Sequence, residues 1–246
     1  MRIKSRVENI DYSDTQHFFE NRIKRFNSDN PYSLTMYQDN NPELVKKRNQ
    51  AEVKRLLPLL KLDAESKVLD IACGIGRWSD AIDAEIKEYV GIDFCQSFID
   101  LANERNTKAN RFFYNAHSTD VADCLRAHGK GRYNRAIIVG GLMYLNDEDV
   151  QKTLEQIEMV AEKETILCIR EPIGINERLT LKEHFSEELG DTYNAVYRTR
   201  DEIFDYLNRI FISAGYVMKE EDFLFHNTDL SNRKETAQYY FLLERK

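Results

Sequence analysis

Lys67-Val-Leu-Asp-Ile-Ala-Cys-Gly-Ile-Gly-Arg-Trp78 decides how this chain is read. Val68, Leu69, Ile71 and Ala72 form a nearly unbroken apolar run, the pattern of a strand buried on both faces. Gly74 and Gly76 allow a sharp turn and a close approach of the backbone to a ligand. Beyond them Trp78, Ala81, Ile82 and Ile86 are spaced like the buried stripe of a helix. A strand feeds a glycine turn, and the turn feeds a helix N-terminus whose first N–H groups lack intrahelical partners. A dinucleotide site wants a third glycine, and Ser79 stands there. Asp70, a carboxylate ahead of the glycines, suits a cationic amine better than a pyrophosphate.

The next strand reads Glu88-Tyr-Val-Gly-Ile-Asp93 and closes on a second acid, 23 positions after the first. An acid at such a strand end can accept both hydroxyls of a ribose. Asp70-Ile-Ala-Cys-Gly-Ile-Gly76 followed by Gly91-Ile-Asp93-Phe resembles the class I S-adenosylmethionine-dependent methyltransferases, over roughly residues 41–246. The resemblance implies S-adenosylmethionine as cofactor and S-adenosylhomocysteine as product. It implies that Asp70 orients the amine of the methionine moiety, while Ala72, Cys73, Gly74, Gly76 and Trp78 bring the turn close to it. Asp93 would take the ribose, and Phe94 would lie beside the adenine. Ala116 and His117 stand where the family commonly has an acid for the adenine amino group. Gly140, Gly141 and Leu142 would line the methionine side, Arg48 would meet the cofactor's carboxylate, and Tyr37 would close over the cofactor.

From Lys67 onward strands and helices alternate, as in an α/β sheet with helices on both faces. Strands are expected at 67–72, 88–93, 111–116, 135–141 and 165–170. Residues 216–225 and 238–244 read as a closing antiparallel pair. The expected fold is a Rossmann-like three-layer α/β sandwich: a seven-stranded, mostly parallel sheet with an antiparallel final pair, plus an N-terminal helical cap. One domain, 1–246, is expected, divided into a cap or lid (1–41), a cofactor-binding core (42–172), a substrate-side insertion (173–200) and a C-terminal helix with the strand pair (201–246). A helix is read around Asp14–Phe26, and another from Asn41-Pro-Glu toward Leu57, with Asn41 as N-cap and Pro42 at its first position. Asp201 is read as the cap of a further helix.

Composition narrows the partners. The chain has 246 residues, a formal charge of −7 and 42% hydrophobic residues, enough for one large core. The acidic balance argues against nucleic acid, which needs clustered Lys and Arg. Residues 1–60 hold 11 Lys and Arg against 8 Asp and Glu, a mildly basic start over an acidic body. No apolar run is long enough for a signal peptide or a transmembrane span. Cys73, Cys95, Cys124 and Cys168 show no metal spacing, no metal is expected, and a reduced, cytoplasmic setting is the simple reading.

The acceptor side is read from the strand ends, the cap and the insertion. Glu171 and His184 are the candidate catalytic groups, Glu171 as general base or as a ligand for a sugar hydroxyl. Tyr12, Tyr32, Tyr144, Arg170, Tyr193, Tyr197 and Arg198 are the candidate acceptor-binding residues, with Arg198 paired to Arg178 or Arg200 as a phosphate clamp. Met36–Pro42 and Tyr193–Thr199 look similar to methyltransferases of bacterial surface-polysaccharide and sugar pathways. The expected reaction is O-methylation of a sugar, a sugar phosphate or a surface-polysaccharide unit. N-methylation of an amino sugar or small amine is the nearest rival, and a small-molecule or carbohydrate partner and a homodimer complete the expectation. A non-catalytic nucleoside-binding module and a dehydrogenase are the readings from other classes.

Overall fold

The computed structural model describes residues 1–37, 41–187, 189–226, 229–231 and 233–246. Strand β1 (Arg2–Lys4) precedes helices α1 (Tyr12–Arg22), α2 (Ser33–Met36) and α3 (Pro42–Leu56). Strict alternation follows: β2 (Lys67–Ile71), α4 (Arg77–Ala81), β3 (Glu88–Asp93), α5 (Gln96–Arg105), β4 (Arg111–Asn115), α6 (Val121–Ala127), β5 (Tyr133–Val139), α7 (Asp147–Met159) and β6 (Ala161–Gly174). Then come β7 (Leu179–Ser186), β8 (Asp191–Tyr197), α8 (Arg200–Leu207), β9 (Val217–Phe223) and β10 (Thr236–Arg245).

The main sheet has seven strands in the order β4-β3-β2-β5-β6-β10-β9. Pairing is parallel from β4 through β6 and antiparallel for β10 against both β6 and β9. The expected sheet is therefore present. Its strands read as continuous apolar runs because both faces are covered. Leu69, Ile71, Ala136, Ile138, Leu167 and Ile169 pack on one side with Leu125 of α6, Leu154 of α7 and Leu207 of α8. Val68, Ile137, Ile166, Cys168 and Tyr240 pack on the other with Leu56 of α3, Trp78 of α4 and Ile99 of α5. That period of two matters at the end of β6. It sends Arg170 to the α3 side and Glu171 to the opposite side.

The polar stretch 173–200 is more regular than the sequence indicates. β7 and β8 pair antiparallel, and β1 from the N-terminus joins β7, which makes a second sheet of order β1-β7-β8. The N-terminal region is thus helical with a strand added. Leu179, Leu181 and Ala195 face inward against Phe18 and Phe19 of α1, while Lys182 and Glu183 face outward, so one face alone carries the apolar signal. Two local expectations change. Thr199 caps α8, with Glu202 completing a capping box, so Asp201 is not the cap. Helix α6, too short to show a helical period, fills the gap between β4 and β5. The Asn41 cap of α3 is as expected, its side chain accepting from the Leu44 N–H.

Candidate active site

Strand order reverses around β2, whose neighbours β3 and β5 lead away in opposite directions. A crevice opens beyond the carboxyl ends of strands at such a point. Here it has two chambers of about 480 Å³ and about 180 Å³. Thr35, Tyr37, Ala72, Gly74, Val139, Gly140 and Tyr144 line both, and so form the neck between them.

The glycine turn builds one wall. Gly74 has φ +55°, and a Cβ there would lie 2.9 Å from Thr35 Cγ2 of the cap. Gly141, after β5, packs so closely on the turn that its Cβ would sit 2.7 Å from Ala72 Cβ. Gly76, at φ +82°, caps the start of α4 and lines neither chamber.

Asp93 lines the larger chamber and is 7% exposed. Its Oδ2 accepts from the Gly74 N–H and its Oδ1 from the Cys95 N–H, each at 2.9 Å. Burial pushes its pKa up to about 6, against the pull of the two N–H groups. Each carboxylate oxygen keeps a second lone pair for a hydroxyl. Phe94 and His117 lie in near-parallel planes, 17° apart with centroids 6.3 Å apart, and both line this chamber with Ala116, Tyr12 and Gly141. Tyr12 is fixed by Asp149, to which its hydroxyl donates, and by the Asn146 N–H, from which it accepts. Asp120, which the sequence reading passed over, also lines this chamber and is an acid beyond the third parallel strand.

Asp70 lines the smaller chamber with Cys73, Trp78 and Arg48. It is 1% exposed and accepts from the Tyr89 hydroxyl. Burial raises its pKa to about 7, opposed by Tyr89 and the Arg77 charge and helped by Asp93. Tyr193 and Tyr197 enter the same chamber from β8, their hydroxyls 3.2 Å apart. At the neck the Tyr144 hydroxyl donates to Tyr37 at 2.6 Å. Arg170 reaches the chamber with Nη1 donating to Gln238 and Nη2 paired to Glu52. Glu52 and Arg77 were not foreseen. Both belong to the chamber lining, and they pair with each other.

Several expected roles are corrected. Glu171 is 1% exposed and lies outside both chambers. Its carboxylate accepts from the N–H groups of Gly141, Leu142 and Met143 at 2.8, 2.9 and 3.1 Å. It holds the loop that carries Tyr144 and is not placed to act as a base on a substrate. His184 sits on β7, edge-on to Tyr193 with centroids 6.4 Å apart, and lines neither chamber. Arg198, 2% exposed, donates to the carbonyls of Leu142 and Leu145 and to Asp147. Arg178 pairs with Asp147 and Glu202, and Arg200 with Glu221 and Asp201, so the expected phosphate clamp is a set of structural ion pairs. Tyr32 donates to Asp80 of α4 and lines neither chamber, and Leu142 serves the core. Of the Met36–Pro42 stretch, residues 38–40 lie outside the described residues.

Comparison with known proteins agrees with this geometry. Residues 68–164 match the methyltransferase domain family. A curated phosphoethanolamine N-methyltransferase 1 from Triticum aestivum is 30% identical over 126 residues, half of this chain. The matched part spans 24% of that relative's length. Among solved structures, the DhpI–S-adenosylhomocysteine complex superposes with a TM-score of 0.64 at 13% identity, covering 95% of this chain and 96% of the other. Magnesium protoporphyrin IX methyltransferase from Synechocystis PCC 6803 with bound S-adenosylmethionine gives 0.60 at 13% identity, covering 96% and 94%. N-methyltransferase NodS from Bradyrhizobium japonicum WM9 with S-adenosylhomocysteine gives 0.59 at 14% identity, covering 93% and 98%. The chain therefore has the class I S-adenosylmethionine-dependent methyltransferase fold, and its residues 68–164 match the methyltransferase domain family.

Proposed function

We propose that the larger chamber holds the nucleoside of S-adenosylmethionine, that the neck is the point of transfer, and that the smaller chamber takes a small polar acceptor whose amine is methylated. One observation carries the reading: Asp93 and Asp70, at the ends of adjacent strands, line two chambers that share a neck of small residues and two tyrosines. The cofactor residues fit. A side chain at Gly74 or Gly141 would fill the cradle, Asp93 has lone pairs for ribose hydroxyls, and Asp70 is a buried acid suited to an ammonium group.

When bound, S-adenosylmethionine supplies a methyl group on a sulfonium, ready for in-line displacement. The residues mainly orient and exclude water. Tyr37 and Tyr144 close the neck, and the loop under Tyr144 is fixed from two sides by Glu171 and Arg198. Among the described residues the smaller chamber contains no histidine. The two carboxylates that line it among the described residues are engaged, Glu52 by arginines and Asp70 by Tyr89. An alcohol would need a base to lose its proton, whereas an uncharged amine attacks first and releases its proton afterwards. The preference accordingly moves from a sugar hydroxyl to an amine, and the name of the wheat relative points the same way. O-methylation of a sugar or sugar phosphate is the second reading, favoured by the paired hydroxyls of Tyr193 and Tyr197. Methyl-labelled S-adenosylmethionine offered with small amines and with sugars decides between them. Label on nitrogen is expected, and label on sugar oxygen alone would reverse the order.

The reading carries a pH dependence. An ammonium binds the ionised form of Asp70, so binding and deprotonation favour each other. Cofactor affinity should rise as pH passes upward through about 7 and level off above it. Titration with S-adenosylhomocysteine should give affinity about tenfold tighter at pH 8 than at pH 6, and Asp70→Asn should flatten the profile. No described helix is long and apolar enough to cross a membrane, and all four cysteines are unbonded.

A further inference from the structure

Asp70, the buried acid that the cofactor reading gives to an ammonium, has a cation nearby that does not pair with it. The alternation along β2 puts Asp70 on the same side of the sheet as Val68, which packs among Leu56 of α3 and Trp78 of α4. Arg77 stands next to Trp78, lines the same chamber and has a side chain only 7% exposed. Among the described residues four groups face Asp70: Tyr89, whose hydroxyl donates to it, Asp93 from the end of β3, Cys73 from the turn and Arg77 from α4. Arg77 is the cation among them, and its charge favours the ionised carboxylate. Yet its guanidinium is turned toward α3. Nη2 pairs with Glu52, and Nη1 donates to Asn49 at 2.8 Å.

Glu52 is built to hold it there. Its side chain is 2% exposed, and its second oxygen takes Nη2 of Arg170 at 2.6 Å. Burial works against its charge, but Arg170 and Arg77 outweigh burial and lower its pKa, so it remains a carboxylate at neutral pH. Glu52 and Asn49 stand three residues apart on one face of α3 and grip the guanidinium together. Were that grip lost, Arg77 would be a buried cation without a partner, and a charge in such a place is costly unless an opposite one meets it. Asp70 is the acid that already feels its field. An Arg77–Asp70 pair would occupy the carboxylate that the cofactor's ammonium needs.

On the cofactor reading given above, we propose that Glu52 is a positioning residue: by taking the charge of Arg77 it reserves the Asp70 carboxylate for the ammonium of S-adenosylmethionine. It acts on the ligand through Arg77, and Arg170 on its other oxygen keeps it in place.

The test uses two variants of the full chain that each remove the carboxylate together with one of its arginines, so each loses one buried anion and one buried cation. Both are titrated with S-adenosylhomocysteine across neutral pH. Glu52→Gln/Arg170→Gln leaves Arg77 without its partner. Its affinity should fall about tenfold below the wild type's at about pH 8 and lie close to it at about pH 6, because a cation released beside Asp70 lowers the acid's pKa by about one unit and competes with the ammonium. Glu52→Gln/Arg77→Gln removes the competitor. Its affinity should still climb with pH, with the midpoint moved up from about 7. 5′-Methylthioadenosine has the nucleoside and no ammonium, and both variants should bind it as the wild type does. A merely structural Glu52 would weaken both ligands in both variants and leave the shape of the pH profiles unchanged. Equal pH profiles in the two variants overturn the proposal. If melting curves show that either double variant does not fold, Arg77→Gln decides, since it leaves Glu52 paired to Arg170. Its midpoint must move up from about 7, and a midpoint that stays in place overturns the proposal. A wild type that binds neither ligand, or binds S-adenosylhomocysteine equally at every pH, is a separate result, and it overturns the cofactor reading on which this one rests.

Discussion

Asp93→Ala should lose roughly a hundredfold or more in affinity for S-adenosylhomocysteine, read by equilibrium dialysis against the wild type. Two charge-assisted hydrogen bonds to ribose hydroxyls are removed, each worth about 1.5–3 kcal/mol. The loss reaches further than the ribose. The same carboxylate accepts from the N–H of Gly74 in the turn and of Cys95 at the start of α5. Without it those donors are orphaned, and the turn that lines both chambers loses its tie to β3. Asp93→Asn keeps one acceptor oxygen and should fall between the two. An Asp93→Ala variant that bound as well as the wild type would remove Asp93 from the cofactor site.

Glu171→Ala should reduce folding stability by about 3 kcal/mol or more. Three backbone N–H groups lose their acceptor, each buried donor costing about 1–3 kcal/mol when unsatisfied. For a chain of this size each kcal/mol lowers the melting temperature by about 2–4 °C, so a fall of about 10 °C is expected by calorimetry. The pH dependence has a definite sign. Burial raises the Glu171 pKa to about 7, above its value in the unfolded chain. Between those values the folded state keeps a proton that the unfolded state has shed, so this group's contribution falls as pH rises. The gap between wild type and variant should be widest near pH 4 and narrow toward about 7. A catalytic base would behave otherwise: its loss would cut the rate and leave the melting temperature unchanged.

The fold was legible where each strand is buried on both faces, because nearly continuous apolar runs such as Val68–Ile71, broken only by Asp70, and Ile166–Ile169 leave little choice of structure. The second sheet was not. Leu179 and Leu181 are separated from Ala195 by Lys, Glu, His and Asn, and the pairing of β7 with Arg2–Lys4 is set by contacts about 180 residues apart. Asp70 and Asp93 could be found because a strand end fixes where an acid points. Arg170 and Glu171 could not be separated, since neighbours on a strand face opposite sides and the sequence does not say which side opens on the crevice. The structure gives the crevice to Arg170 and the loop to Glu171. Glu52 lay hidden in a charged helix. Yet it stands four residues after Arg48, on the same face of α3, and that spacing could have marked the pair.

The most direct measurement is a crystal structure of the chain with S-adenosylhomocysteine. The account predicts ribose hydroxyls within hydrogen-bond reach of Asp93, the base beside Phe94 and His117, the ammonium near Asp70 and the sulfur at the Tyr37–Tyr144 neck. A crevice that stays empty at saturating ligand, or a nucleoside bound away from Asp93, would contradict it.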